Sequence, residues 1–519
     1  MRIFEPWRPA LAALLFALSI VGCATLPDQP PRGTPGQAMP PQPGGLLADL
    51  ESRVRAANGA DRSAFYLLDS NEEGLRWRLA LIDSARHSLD LQYYVWWGDE
   101  SGSLLMSRVI AAADRGVQVR LILDDLSTIL EDETHPKLRD ASAAVIDAHP
   151  NIEIRLFNAW RTRPLGGRAV ETIERMERIN HRMHNKLLVA DNRAAIIGGR
   201  NLGNEYFGLS PEFNFRDLDV LGLGPVAREA SAVFDRFWNS AWVVPVVALQ
   251  QEVKPEAQAD EARALRARLV GAQSLSKFPL EPQDWTAPFE QILPRMHSGI
   301  SEVHTDTPDE DAVTHHMPAA IRDLMSTAKS ELLIANAYII PGPHALDRTR
   351  DLVKRGVDVR MLTNSLASHD VPAVNSHYKT WRKPLLEAGV KLYEVRPDAA
   401  TQAALADTPP TRAKFMGFHV KAMVIDAQRV FIGSMNLDPR SWSINSEMGV
   451  VIESPGLARE VAVAFQRDTG PENAWHVTLG KDGEPVWTAD AQRLRDQPAR
   501  SLWQRVEDLI FMAFPRDLY

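Results

Sequence analysis

The sequence predicts an α/β protein made of two homologous lobes. Each lobe is expected to be a mixed β-sheet flanked by helices, and the two are expected to pack with pseudo-twofold symmetry around one site. The first observation behind this prediction is a motif His-x-Lys-x4-Asp, found at residues 184–191 and again at 419–426. Each Asp is followed, after six residues, by Gly-Gly-x-Asn or Gly-Ser-x-Asn. Two such matches at one spacing indicate an internal repeat.

The second observation is that the repeat extends beyond the motif. Arg-Gly-Val-Gln-Val-Arg at 115–120 matches Arg-Gly-Val-Asp-Val-Arg at 355–360. The motif histidines are 235 residues apart (419 − 184), and Gly116 and Gly356 are 240 apart (356 − 116). Each Gly ends a helical stretch and precedes an apolar strand, which is typical of an α/β crossover. The nearly constant offset supports duplication.

The elements follow in the same order in both halves. Alternation and apolar content predict strands at 89–95, 117–123, 152–157, 186–190, 194–197 and 218–223, with a helix at 104–114. The second half repeats them as strands at 332–339, 357–362, 390–393, 421–425, 430–432 and 448–452, with a helix at 346–354. The lobes are assigned to 46–245 and 297–470, joined by a linker at 246–296 that carries an exposed helix.

The N-terminus predicts an exported lipoprotein. Arginines at 2 and 8 precede an uncharged run at 10–21 that ends at Cys23, the one cysteine of the chain. Residues 1–22 are therefore predicted to be a lipoprotein signal peptide with Cys23 as the lipidated residue. The alternative is an uncleaved anchor, although the run is shorter than the ~20 residues of a spanning helix. Residues 23–45, rich in Pro, Gly and Gln, predict a disordered tether.

The C-terminal residues 471–519 predict a hairpin followed by an amphipathic helix. Two strand-like stretches flank Lys-Asp-Gly-Glu at 481–484. Residues 501–514 then place apolar side chains on one helical face. That face either contacts lipid or packs on the body of the protein.

Two His and two Lys brought together by the repeat predict a site for a phosphodiester. One imidazole can attack phosphorus, and the other can protonate the leaving oxygen. The Lys and Asn side chains can stabilise charge on the phosphoryl oxygens. The candidate residues of this kind are His184, Lys186, Asn201, His419, Lys421 and Asn436. Because the lysines supply positive charge, neither a metal nor a cofactor is expected.

Two carboxylates are predicted to orient the histidines. Asp217 and Glu447 each lie eight residues before a proline that follows a strand-like run. Asp219 is the alternative to Asp217 in the first half. A carboxylate on one imidazole nitrogen fixes the tautomer. The motif residues Asp191 and Asp426 are expected to pin a tight turn rather than to take part in chemistry.

The paired His-x-Lys-x4-Asp pattern resembles the phospholipase D superfamily. Further stretches resemble the C-type bacterial cardiolipin synthases: Leu-Asp-Leu-Gln-Tyr-Tyr at 89–94, Gly-Gly-Arg-Asn with Glu-Tyr-Phe at 198–207, Thr-Asn-Ser-Leu-Ala at 363–367, and Gly-Ser-x-Asn-x-Asp-Pro-Arg-Ser at 433–441. The resemblance covers residues from about 64 to 514. The lipobox at the front end departs from that pattern.

This resemblance implies transfer of a phosphatidyl group onto phosphatidylglycerol through a phosphatidyl-histidine. The donor is expected to be phosphatidylethanolamine or phosphatidylglycerol. It favours His184 as nucleophile and His419 as acid, and it implies that Gly199 and Ser434 bind phosphate. A phospholipid hydrolase is the first alternative and a nuclease the second, and a non-catalytic lipid-binding lipoprotein is a further one.

The expected partners are phospholipids and a membrane surface. The net charge of −9 argues against a nucleic-acid partner. The expected location is the periplasmic side of a bacterial membrane, inner or outer, and the need for a helper protein is open. A group of acidic and histidine residues at 304–316 suggests a metal site, but its spacing fits no ligand template and an acidic loop explains it.

Overall fold

A computed structural model describes residues 26, 31–126, 136–163, 165–251, 253–254, 256–310 and 312–513. The predicted signal peptide and Cys23 lie outside the described residues.

The first lobe is built on a mixed sheet with strand order β9-β4-β3-β2-β5-β6-β8-β1. Its β2–β3 and β3–β4 pairs are parallel, and the other pairs in the sheet are antiparallel. The strands are β1 Ser63–Leu68, β2 Ser88–Tyr93, β3 Gln118–Asp124, β4 Ile152–Phe157, β5 Lys186–Ala190, β6 Ala194–Gly198, β7 Phe213–Arg216, β8 Asp219–Leu223 and β9 Val243–Pro245.

The second lobe repeats this sheet and adds strands at its far edge, in the order β10-β19-β18-β17-β13-β14-β15-β20-β21-β22. The strands are β10 His297–Thr305, β11 Thr307–Pro308, β12 Val313–Thr314, β13 Glu331–Asn336, β14 Asp358–Asn364, β15 Lys391–Val395, β16 Phe415–Phe418, β17 Lys421–Ile425, β18 Arg429–Gly433, β19 Met448–Glu453, β20 Ala474–Leu479, β21 Pro485–Ala489 and β22 Gln492–Leu494. Strands β1 and β10 pair antiparallel and join the two sheets.

Helices connect the strands and pack on both faces of each sheet. Those of the first half and the linker are α1 Leu46–Asn58, α2 Asn71–Ser84, α3 Glu100–Asp114, α4 Pro136–Asp147, α5 Leu165–Glu174, α6 Met176–Ile179, α7 Pro225–Trp238, α8 Ala257–Leu269 and α9 Thr286–Ile292. Those of the second half are α10 Met317–Ser326, α11 Gly342–Lys354, α12 Pro372–Tyr378, α13 Arg382–Glu387, α14 Pro439–Ser443, α15 Pro455–Asp468 and α16 Leu502–Phe511.

Strand alternation divides the core into three clusters. In β5, Leu187 and Val189 point into a central cluster, and Leu188 points into an outer cluster of the first lobe. In β17, Val424 joins the same central cluster, and Met423 faces an outer cluster of the second lobe. Because successive side chains of a strand point to opposite faces, each sheet buries one face against the other lobe. The predicted fold class, two α/β lobes in pseudo-twofold arrangement, is confirmed.

The segment expected to be a disordered tether differs from that expectation in its described part. Residues 31–45 have no regular secondary structure and lie along the first lobe. Arg155 donates to the carbonyl of Thr34, and the backbone N–H of Ala38 donates to Asp235 at 2.7 Å. Leu26 is buried, and its N–H donates to Arg161 O at 2.8 Å. Backbone hydrogen bonds to fixed partners hold this Pro- and Gly-rich stretch in place.

The linker contains the predicted helix, α8, most of whose side chains are exposed. Two of its residues, Leu265 and Leu269, pack into the outer cluster of the first lobe, together with Trp285 and Phe289 of the following segment. These contacts attach the linker to the first lobe.

The C-terminal segment forms the predicted hairpin, β20–β21, with β22 added to it, followed by the predicted helix α16. Within the described ranges, no helix combines the length and apolar character needed to cross a bilayer.

Candidate active site

Each motif histidine lies two residues before the lysine that begins the next strand. His184 precedes β5 and His419 precedes β17, and both side chains are buried. Because His and Lys are two residues apart, they lie on the same face of the extended chain. Lys186 Nζ donates to His184 O at 2.7 Å, and Lys421 Nζ donates to His419 O at 2.6 Å.

Two short strand contacts between the lobes set the register of the site. Strands β7 and β16 pair in parallel with Arg216 opposite Phe418, and the N–H of His419 donates to Arg216 O at 2.8 Å. On the other side, Met183 and Ser446 form a parallel bridge, and the N–H of His184 donates to Ser446 O at 2.8 Å. His419 therefore lies beside the residue that follows Arg216, and His184 lies beside the residue that follows Ser446 in the opposite lobe.

That residue is a carboxylate in both cases. His184 Nδ1 lies 2.9 Å and 3.0 Å from the two carboxylate oxygens of Glu447. His419 Nδ1 lies 2.7 Å from Asp217 Oδ2. The arrangement is crosswise, because each lobe supplies the carboxylate for the histidine of the other. With Nδ1 held in this way, Nε2 of each imidazole is the atom left for chemistry.

Asp219, the alternative to Asp217, lies elsewhere. Its carboxylate is fully buried between Arg78 Nη1 at 2.9 Å and Arg200 Nη1 at 3.0 Å. It balances two buried arginines within the first lobe, a structural role. The sequence could not separate Asp217 from Asp219, because the difference depends on which of the two faces the second lobe.

Gly199 and Ser434, for which phosphate binding is implied, each lie against one of the two carboxylates. The Ser434 hydroxyl donates to Glu447 Oε2. A Cβ built on Gly199 would lie 2.4 Å from Asp217 Oδ1, so only glycine leaves room for that carboxylate. Ser441 Oγ also donates to Glu447, at 2.9 Å. Glu447 thus accepts from two hydroxyl groups, whereas Gly199 offers Asp217 no side chain. The surroundings of the two carboxylates therefore differ.

The two His–carboxylate pairs differ in charge state. Burial raises the pKa of Glu447 to about 7, against the opposing charge of Lys186 and the Ser434 hydrogen bond. Burial acts the same way on Asp217, but the His419 and Lys421 charges outweigh it and hold the pKa of Asp217 below its ordinary value. Asp217 is therefore an anion at neutral pH and can stabilise a positive charge on His419.

The pKa values of the two histidines also differ. Burial, and then the charges of Lys186 and Lys421, lower the pKa of His184 well below its ordinary value. Burial also lowers the pKa of His419, but the negative charge of Asp217 opposes it. His184 is accordingly held neutral, with a free lone pair on Nε2 when Nδ1 carries the proton.

The lysines lie under aromatic rings in both halves. Lys186 Nζ is 5.3 Å from the ring centre of Tyr94, and Lys421 Nζ is 5.9 Å from that of Tyr338. Burial lowers the pKa of Lys421 to about 8 and that of Lys186 well below its ordinary value. Contact with these rings favours the charged amine, and burial opposes it.

Asn201 and Asn436 stand at the same position in the two halves, just after β6 and β18. The Oδ1 atoms of both amides are buried and have no hydrogen-bond partner among the described residues. Asn201 Nδ2 donates to Tyr206 OH at 2.9 Å. Each amide oxygen can therefore accept a hydrogen bond from a donor of a bound group.

The aspartate of each motif lies in a turn away from the histidines. Asp191 accepts from the backbone N–H groups of Arg86, His87 and Ser88 at 2.7–3.1 Å. Asp426 accepts from the N–H groups of residues 329–331 at 2.7–3.1 Å. Both Asp residues have positive φ, near 52°. The structure places them as turn residues.

Sequence reasoning did not assign the positioning role of two residues beside the histidines. Asp124 Oδ2 accepts from the N–H of Met183 at 2.8 Å, and Asn364 Oδ1 accepts from the N–H of Phe418 at 3.1 Å. Each therefore holds the residue just before a motif histidine. The signal was present in the sequence, because Asp124 and Asn364 are separated by the same 240 residues (364 − 124) as the repeated glycines.

Asp306, one of the acidic residues at 304–316, has a positioning role. Its carboxylate accepts from the N–H of Glu447 and from the N–H of Met317, both at 2.8 Å. It thus fixes the backbone that carries Glu447. Asp311 of the same stretch lies outside the described residues.

Comparison with known families agrees with this geometry. The family model described as cardiolipin synthase, PLD-like domain, matches residues 79–238 and 321–469, one segment in each lobe. The chain belongs to this family. The resemblance to the phospholipase D superfamily stated from the motifs is thereby confirmed.

Relatives of this family align over most of the chain. Cardiolipin synthase C of Escherichia coli (strain K12) is 36% identical over 457 residues, which cover 85% of this chain and 92% of that protein. Major cardiolipin synthase ClsA of Bacillus subtilis (strain 168) is 25% identical over 79% of this chain and 69% of that protein. The crystal structure of phosphatidylserine synthase from Haemophilus influenzae Rd KW20 has a TM-score of 0.52 at 15% identity, over 82% of this chain and 90% of that one. At that identity it supports the fold alone.

Proposed function

We propose that this protein is a phosphatidyltransferase of the cardiolipin synthase type. It moves a phosphatidyl group from phosphatidylglycerol or phosphatidylethanolamine to a hydroxyl of phosphatidylglycerol. The observation that carries the proposal is the crosswise pair of buried contacts, His184 with Glu447 and His419 with Asp217, beside two buried lysines. Such a centre supplies a nucleophile, an acid and positive charge to one phosphodiester.

The surroundings of the two histidines favour different roles. The pKa of His184 is held well below its ordinary value, so its Nε2 lone pair attacks phosphorus and forms a P–N bond as the P–O bond to the donor headgroup breaks. Burial lowers the pKa of His419 as well, but the Asp217 anion opposes that shift and stabilises the protonated imidazole, whose Nε2 gives its proton to the leaving oxygen. The lysines and asparagines stabilise the negative charge on the phosphoryl oxygens.

The second half-reaction reverses these roles. The hydroxyl of the acceptor phosphatidylglycerol gives its proton to His419 Nε2, and its oxygen attacks phosphorus. The P–N bond to His184 breaks, and cardiolipin leaves. With phosphatidylglycerol as donor, the other product is glycerol, and the enzyme returns to its starting state. No proton remains unaccounted for.

Product analysis with purified protein tests the proposal. The chain is incubated with phosphatidylglycerol in mixed micelles, and the lipids are analysed by mass spectrometry. Cardiolipin and free glycerol are expected. Phosphatidic acid as the sole lipid product would identify a hydrolase instead, because water would then be the acceptor. His184→Ala and His419→Ala should yield neither product.

We also propose that Cys23 carries a lipid and that the body faces the periplasm. The uncharged run before Cys23 and the lack of any other cysteine support this location. Mass analysis of the protein purified from membranes should show a lipidated N-terminal Cys23, lost in Cys23→Ser. An unmodified Cys23 within an intact N-terminus would contradict it.

A further inference from the structure

The last helix, α16, is turned with its polar side towards the protein. Gln504 and Asp508 are 4% and 1% exposed. Asp508 accepts from Asn375 Nδ2 and from Lys379 Nζ, each at 2.6 Å. These buried polar contacts fix the rotation of the helix about its own axis, because turning it would leave a buried carboxylate without partners.

The opposite side of the helix is apolar and exposed. Its side chains have these exposed fractions: Leu502 82%, Trp503 64%, Val506 42%, Leu509 64%, Ile510 53% and Met512 48%. A helix on a soluble body normally turns such residues inwards. A contiguous exposed apolar face of this kind marks contact with an apolar partner.

The helix rests on the loop that forms one wall of the active site. Gln504 Nε2 donates to Leu366 O, and Arg500 donates to His369 O at 3.4 Å. The next residue in this loop, Asp370, accepts from Tyr338 OH at 2.8 Å. Tyr338 is the ring that lies over Lys421. The polar side of α16 is therefore connected to the site through residues 366–370 and Tyr338.

The segment that leads into α16 presents basic side chains beside acidic ones. Arg493 and Arg500 are exposed, whereas Arg495 pairs with Asp482 at 3.2 Å, and Asp490 and Asp496 are exposed in the same segment. An apolar helical face that carries a Trp, with arginines beside it, is typical of helices that lie in a lipid interface.

We propose that α16 docks the protein on the surface of a phospholipid bilayer that contains anionic lipid. The apolar face enters the boundary between headgroups and acyl chains, and the site beside it then receives headgroups whose acyl chains stay in the bilayer. This inference rests on the proposed function, since it takes phospholipids as the substrates.

Vesicle binding tests the docking directly. The full chain is used with Cys23→Ala, so that no lipid anchor contributes, and is floated with vesicles of phosphatidylcholine containing phosphatidylglycerol. The double variant Leu502→Glu/Leu509→Glu should bind at least about tenfold more weakly, because two apolar side chains no longer enter the interface. Val463→Glu, at a 64% exposed position of α15, is the matched control and should bind like the parent.

Two further measurements separate docking from folding and catalysis. The double variant should unfold at the parent's temperature, because both leucines are exposed. Its rate on short-chain phosphatidylglycerol, dispersed as monomers, should equal the parent's, and its rate on vesicles should fall with binding. A parent that is inactive on both substrates would contradict the proposed function but not the docking.

Unchanged vesicle binding by the double variant would overturn the docking proposal. So would a parent dimer that the double variant converts to a monomer, because a second copy of the chain would then be what covers the face. Sedimentation of both proteins without lipid gives that answer. The emission of Trp503, isolated by subtracting the Trp503→Phe spectrum, should shift to the blue on vesicles.

Discussion

Each active-site histidine has a carboxylate at Nδ1, but the two carboxylates have different neighbours. Glu447 accepts from Ser434 and Ser441, and burial raises its pKa to about 7. Asp217 faces Gly199, which offers no side chain, and is held as an anion. One duplicated unit has thus given two imidazoles with different proton affinities, as a reaction with one nucleophile and one acid requires.

The assignment of the nucleophile predicts a trapped intermediate. His419→Ala removes the general acid, so a phosphodiester with a good leaving group such as p-nitrophenol should still react once with His184. One equivalent of p-nitrophenol is expected, together with a covalent adduct that intact-mass and peptide analysis place on His184. An adduct formed by His184→Ala but not by His419→Ala would reverse the assignment.

The pKa of Lys421, about 8, predicts a step in the alkaline limb of the pH profile, beyond the step at which His419 loses its proton. The amine stabilises the phosphoryl oxygens only when protonated, which holds below that pKa, so kcat/KM should fall as pH rises through about 8. Lys421→Arg keeps its charge at higher pH and should move this limb upwards, at a lower maximal rate because the guanidinium has another shape. An alkaline limb that stays in place in Lys421→Arg would assign it to another group.

The motif residue Asp191 predicts the opposite kind of effect. Asp191→Ala leaves three backbone N–H groups of a turn without their acceptor, which should destabilise the fold by about 1–3 kcal/mol. The turn is remote from the imidazoles, so kcat of the folded protein should stay near the parent value. Denaturant unfolding and kcat measured on the same preparation separate the two. A large loss of kcat at full stability would give Asp191 a catalytic role.

At the scale of elements, the motif strands and their turns were predictable, and the contacts between lobes were not. The strands β5 and β17 have the predicted bounds, because their signal is local: an apolar run that ends in a tight turn. The pairing of β7 with β16 joins two four-residue strands about 200 residues apart, and no local pattern specifies such a contact. The sequence could identify the two carboxylates but could not say which histidine each of them contacts, because that depends on this pairing.

The orientation of α16 was open for the same reason. Its periodicity predicts an amphipathic helix but does not say which side faces the protein. The side is decided by Asn375 and Lys379, which are more than 120 residues away in sequence and form buried contacts with Asp508.

The positioning residue Asn364 gives a prediction for the β16–β17 segment. Asn364→Ala removes the amide that holds both backbone groups of Phe418, so stability should fall by about 1–3 kcal/mol. The rate should fall as well, because His419 follows Phe418 directly. Asn375→Ala, another buried Asn of the second lobe, is the control: it should lower stability with kcat on monomeric substrate preserved.

For the whole molecule, the repeat predicted two lobes, but their interdependence follows from the structure. The central cluster takes side chains from both sheets, and β1 pairs with β10 across the boundary. The two-lobe arrangement was readable because duplication leaves a constant offset in sequence. The packing of residues 31–45 and of the linker was not, because low-complexity composition does not show the partners that hold a segment.

Interdependence predicts that neither half works alone. A chain broken between the exposed residues Pro282 and Gln283 separates each histidine from its carboxylate. Each fragment expressed singly should be inactive and should bind a hydrophobic dye, because half of the central cluster is uncovered. Co-expressed fragments should regain activity. Activity in either single fragment would show that one half-site suffices.

The burial of Leu26 limits the distance between the folded body and any lipid anchor on Cys23. If Cys23 carries a lipid, as proposed, three peptide steps separate it from a residue that is fixed to the first lobe at Arg161. Three steps span at most about 11 Å. The folded body of an acylated chain would then be held close to the membrane that carries its anchor, and it could not cross a wide gap to a second membrane. It would sample only lipids in the leaflet that holds its own anchor.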